Sequence, residues 1–79
     1  MEMTLTDQID EILYRSFRWM TIREITGALR EMFASSPAVD SIRLVLDTEP
    51  SFSRYGDQYC VNLKNRADRL AAKFEFELE

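Results

Sequence analysis

Apolar residues Leu5, Ile9, Ile12, Leu13 and Phe17 recur at the spacing that puts side chains on one helical face, and predict a first helix. Asp7, Asp10 and Glu11 fall in its early turns, where carboxylates favour the positive end of the helix dipole. As a trio they suggest a metal or partner patch, but a solvated helix start is the simpler account and is preferred. Arg18-Trp19-Met20 then interrupts the pattern and predicts a short strand. Thr21-Ile22-Arg23-Glu24 is a capping-box sequence, and Ile22, Ile25, Leu29 and either Met32 or Phe33 give a second helix its buried face. Gly27 sits inside that helix at a cost of about 1 kcal/mol relative to alanine, which marks a close crossing by another helix.

Ala34-Ser35-Ser36-Pro37 reads as a turn, with Ser36 as cap and Pro37 as first helical residue of a third helix. Val39, Ile42, Val45 and Leu46 give that helix an inner side, and Pro50 stops it. Phe52 to Leu63 is β-rich, with Gly56-Asp57-Gln58 supplying a turn between Tyr55 and Tyr59. Tyr59, Val61 and Leu63 alternate with Cys60 and Asn62, and Phe52 joins the core from the opposite strand. Lys64 to Phe74 resumes a helix, with Leu63, Ala67, Leu70 and Phe74 in one stripe. Phe74 to Leu78 then alternates strictly, as a strand would, and Leu78-Glu79 also matches a cloning remnant. The order predicts an α+β winged helix-turn-helix: three helices, a small hairpin wing and an extra C-terminal helix or strand. Residues 1–79 read as one domain, with 64–79 as an extension.

Composition narrows the chemistry. The chain has 79 residues, 46% of them hydrophobic, with two glycines and two prolines, which fits a small folded core rather than disorder. It carries no apolar run of membrane length, no signal-peptide pattern and one cysteine, so the cytoplasm is the expected compartment and no membrane partner is expected. A net charge of −4 counts against strong nonspecific DNA binding but leaves room for a local basic patch. There is no histidine, which removes the commonest general base and metal ligand. The two glycines are isolated, so no phosphate-cradling loop exists. Cys60 reads as a small buried or interfacial side chain rather than a nucleophile. Neither catalysis nor a metal or cofactor is expected.

The third helix carries the recognition question. Opposite its inner side lie Asp40, Leu44 and Asp47, flanked by Ser41 and Arg43. Two aspartates in a DNA groove meet phosphate repulsion, so Asp40, Arg43, Leu44 and Asp47 are expected to face a protein partner, with Leu44 as anchor. The plainer alternative is that Leu44 packs on a neighbouring element and the acids are solvated. Nucleic acid is left to Ser41, Arg43, Arg54, Tyr55, Gln58, Lys64 and Arg66, chiefly as backbone contacts from the wing and the helix after it. Arg69 and Lys73 continue that series, and a solvated amphipathic helix is the simpler account of it. Trp19 and Tyr14 are able to stack bases, although Trp19 reads better as a buried bracket between the first helix and the wing.

Three patterns resemble the small winged-helix domain of the HARE-HTH family, found in the delta subunit of bacterial RNA polymerase, in some restriction endonucleases and in chromatin proteins. Met20-Thr-Ile-Arg-Glu-Ile25 is similar to the start of that family's second helix, and Val39 with Ile42-Arg-Leu-Val-Leu46 to its third. Phe52-Ser-Arg54-Tyr55-Gly56 followed by Tyr59-Cys-Val-Asn-Leu63 looks like its wing. The likeness runs from roughly Leu5 to Leu63 and rests on the order and spacing of its motifs. It implies a non-catalytic accessory role in transcription or DNA processing, through a protein of that machinery or through DNA. Combined with the acidic third helix, it leads to the first expectation, a module acting mainly by protein–protein contact with weak DNA-backbone binding beside it. Two rival expectations are a sequence-specific DNA-binding homodimer, with Arg43 reading a base, and a structural or inhibitory protein pairing through the Phe74–Leu78 strand.

Overall fold

The computed structural model describes the backbone of residues 3–78 and side chains as far as Ala72. Helix α1 spans Leu5–Ser16 and opens on a capping box: the Thr4 hydroxyl accepts from the Asp7 N–H at 3.2 Å, and the Asp7 carboxylate accepts from the Thr4 N–H. Ile9, Ile12 and Leu13 fill its buried face. Phe17, expected on the same face, instead caps the helix in the left-handed conformation with φ 49° and swings out to solvent.

Strand β1 is the pair Met20–Thr21, and Thr21 goes on to cap α2, Ile22–Phe33. The Thr21 hydroxyl accepts from the Glu24 N–H at 3.2 Å and the Glu24 carboxylate from the Thr21 N–H at 3.1 Å. Arg18 donates to the same carboxylate at 2.8 Å. Ile25 and Leu29 are buried, Ile22 and Phe33 pack at the margin, and Met32 is exposed. Gly27 marks no crossing: a Cβ placed there meets nothing within 4 Å.

Helix α3, Val39–Thr48, begins two residues later than expected, capped by Ala38 with no side-chain hydrogen bond. Ser36 and Pro37 belong to the preceding loop. The late start leaves Val39 exposed, and Ile42 and Leu46 carry the core contact with Val45 at the edge. The helix ends at Thr48, and its C-cap Glu49 is extended, as the residue before a proline prefers.

Strands β2, Phe52–Tyr55, and β3, Gln58–Val61, form an antiparallel hairpin. Its two-residue turn is Gly56-Asp57, with Gly56 at φ 63°; Gln58, expected in the turn, is already in β3. β3 is central, with sheet order β1-β3-β2, and Met20 and Arg54 both lie opposite Tyr59. The Asn62 side chain accepts from the Asn65 N–H at 3.1 Å and starts α4, Leu63–Leu78. Leu63 is therefore a helix residue open to solvent, as is Ala67, rather than a continuation of the strand or part of a buried stripe.

α4 runs through Phe74–Leu78, so the expected alternating strand is helix instead. A helix already formed extends one bond at a time, whereas a new strand needs a partner edge. The side chain of Phe74 and residue Glu79 lie outside the described residues.

Among the described residues the fold is α+β, with four helices and a three-stranded antiparallel sheet. Its core is Ile9, Ile12, Leu13, Met20, Ile25, Leu29, Ile42, Leu46, Phe52, Tyr59 and Val61. Each fully buried aliphatic among these contributes about 1.5–3 kcal/mol. No helix there is long and apolar enough to cross a membrane.

Candidate nucleic-acid interface

The first turn of α2, the middle of α3 and the hairpin meet around an open cleft of about 430 Å³. Arg23, Arg43 and Arg54 line it, one from each element, with Thr21, Ile22, Asp57 and Tyr59. A second hollow of about 540 Å³ shares Ile22 and Arg23 and extends along α2 past Thr26 and Gly27 to Arg30, with Val39 on its far side. Arg23, Gly27 and Arg30 fall at positions i, i+4 and i+7, which is one helical face. Among the described residues, Arg23, Arg30 and Arg43 take part in no ion pair.

The hairpin side of the cleft is held rigidly. Arg54 donates from Nε to the Gly56 carbonyl at 2.9 Å, lies 5.8 Å from the Tyr59 ring centroid, and approaches Asp47 at 3.6 Å. The Tyr59 hydroxyl donates to Asp47 at 3.1 Å. Burial, and then the neighbouring Asp47 carboxylate, push the Tyr59 hydroxyl above its usual 10.0, although Arg54 and Arg43 pull the other way. Asp47 is therefore tied to the hairpin by two partners. The outward face of α3 keeps Asp40, Ser41 and Leu44, with Leu44 63% exposed. Of the two aspartates expected to repel phosphate from this helix, one is already engaged.

Outside the cleft, the expected basic extension turns inward at Arg66 and Arg69. Asp10 is only 5% exposed, not solvated. It accepts two bonds from Arg66 Nε, at 3.0 and 3.2 Å, and pairs with Arg69 at 3.2 Å. Arg69 also reaches Asp7 at 3.3 Å, and Arg66 stacks on Tyr14 at 3.9 Å. A carboxylate buried in α1 needs cations, and α4 supplies them. Arg66 and Tyr14 are thereby committed to an internal contact. Lys64 remains exposed, while the Lys73 side chain lies outside the described residues.

The two remaining candidates form an aromatic pair. Trp19 and Tyr55 meet edge to face, with centroids 6.2 Å apart and planes at 61°. Trp19 does brace the hairpin, but at 43% exposure it is not a buried bracket, and Tyr55 is 77% exposed. Gln58 faces Thr21 and Tyr55 across the sheet, and Cys60 is partly buried. Among the described residues, no cluster of three or more histidine, cysteine or acidic side chains is placed to hold a metal ion.

Of the residues expected to contact nucleic acid, Arg43 and Arg54 come together in the cleft, Tyr55 and Gln58 lie on the same hairpin outside its lining, Ser41 and Lys64 do not line it, and Arg66 is paired with Asp10. Arg23 and Arg30 were not anticipated. Their seven-residue spacing about Gly27 was the available signal, but it does not say that Arg23 joins Arg43 and Arg54 in the cleft while Arg30 lies in the adjoining hollow. Compared with family models, with curated proteins and with solved structures, the chain matches none.

Proposed function

We propose that this chain is a non-enzymatic winged-helix accessory module of transcription or DNA processing that holds a nucleic-acid backbone across α2, α3 and the hairpin. One observation carries the reading: arginines from three separate elements converge on one open cleft, while Arg66 and Arg69 are spent on an internal pair. Guanidinium groups suit phosphate because they offer a planar fork of donors that stay charged at any working pH. The element order, with hairpin following third helix, supports the winged-helix assignment and agrees with the HARE-HTH likeness. The lack of histidine and of any glycine-rich loop supports a binding rather than a catalytic role.

Arg23→Glu and Arg43→Glu should each lower affinity for oligonucleotides at least tenfold, and the wild-type affinity should fall steeply with salt. Lys64→Ala, away from the cleft, should change it little. Fluorescence anisotropy at several salt concentrations measures this, and unchanged affinity in both arginine variants would refute the cleft. Leu44 favours a second reading, capture of a protein of the same machinery through the outer face of α3, because so exposed a leucine suits an apolar anchor. Under that reading Leu44→Asp abolishes partner capture and the arginine variants do not.

A further inference from the structure

We propose that the interface takes single-stranded rather than duplex nucleic acid, with bases stacking on Tyr55 and Trp19 while Arg54, Arg43 and Arg23 hold the phosphates. This inference rests on the backbone-binding reading above and names the form of the ligand. Arg54 and Tyr55 are consecutive residues of β2, so their side chains leave the strand on opposite faces. Arg54 turns toward the cleft and Tyr59, whereas Tyr55 turns outward to meet Trp19. A strand passing the edge of the hairpin thus finds a cation on one side and an exposed aromatic face on the other.

Duplex nucleic acid gains little from that arrangement. Its base faces are already stacked inside the helix, and only unstacked bases offer a face to Tyr55. Duplex DNA also carries one charge per about 1.7 Å of axis, against about 3.4 Å for each strand. The chain has a net charge of −4 and places Asp57 in the cleft and Asp40 on the outer face of α3, so a doubled phosphate density is the less favoured ligand. Stacking supplies affinity that this charge balance does not oppose.

Trp19 is the only tryptophan, so its emission reports on the site directly. The full chain is titrated with oligothymidylate of about 12 nucleotides, within the usual site size, and with a duplex of equal length. The expected result is quenching of Trp19 by the single strand and affinity at least tenfold above that for the duplex. Tyr55→Ala should lose about tenfold for the single strand and nothing for the duplex, with Tyr55→Phe restoring the wild-type value. Circular dichroism confirms that both variants fold, as the exposure of Tyr55 leads one to expect. Duplex affinity equal to or above that for the single strand, or single-strand binding with Trp19 emission unmoved and Tyr55→Ala silent, overturns this inference and leaves the backbone-binding reading standing. Failure of both ligands to bind overturns the two together.

Discussion

Asp10 is the residue on which the stability of the fold turns most sharply. Its carboxylate is buried and meets two guanidinium groups, so Asp10→Ala leaves Arg66 in a partly dry site without an anion and Arg69 with Asp7 alone. Loss of one member of such a cluster costs about 3 kcal/mol or more, and urea denaturation of the variant should show a midpoint lowered to match. Gly27 predicts the opposite sign. It lies in an exposed helix interior with nothing within 4 Å of an added Cβ, so Gly27→Ala should stabilise by about 0.5–1 kcal/mol. Gly56 has equal space but a φ of 63°, and a β-branched residue there is strained by about 1–2 kcal/mol. Gly56→Val therefore lowers the thermal midpoint where Gly27→Ala raises it. The contrast separates backbone conformation from room to pack.

Among the helices, α1 and α2 each begin with a reciprocal capping box, whereas α3 begins at Ala38 with no side-chain cap. Ala38→Ser should gain about 1 kcal/mol by giving an unpaired first-turn N–H a partner, readable as a higher urea midpoint. The same contrast shows how far these elements were legible in the sequence. Thr21 with Glu24, the stop before Pro50 and the alternation of Tyr59 with Val61 were readable because each signal lies within a few residues of its effect. The burial of Asp10 was not, because the arginines that permit it lie 56 or more residues further along the chain. The likeness of Phe74–Leu78 to a strand misled because a short period-two run at the end of a helix looks the same as a strand until the helix before it is known. One of the three arginines of the cleft was hidden because its partners are remote in sequence: Arg43 and Arg54 lie in or near the expected wing, but Arg23 comes beside them only once β1 pairs with β3.

At the scale of the whole molecule, the titrating groups place a plateau on stability. Burial opposes ionisation of Asp7, but hydrogen bonds from Thr4 and Arg69 outweigh it and hold the carboxyl below its usual 3.8. Glu24 lies below its usual 4.5 because Arg18, and then the Thr21 amide, favour its charged form. For both, the folded state binds its proton later than the unfolded chain, so their contribution is complete above about pH 5 and is lost as pH falls through 4 and below. Tyr59 has the reverse sense: raised in the fold, its contribution is complete below about pH 9 and is lost as pH climbs past 10. Thermal melts across pH should be level between those limits and fall at both ends. Asp7→Asn should shrink the acid fall, and a curve identical to wild type would show that Asp7 does not contribute. Finally, the bond from Asp10 to Arg66 and Arg69 ties α1 to a helix 56 or more residues further along the chain. During synthesis α1 therefore emerges with an inward-pointing anion that nothing yet answers, and it stays provisional until α4 clears the ribosome. Arrival of α4, rather than collapse of the elements before it, is what locks α1 in place.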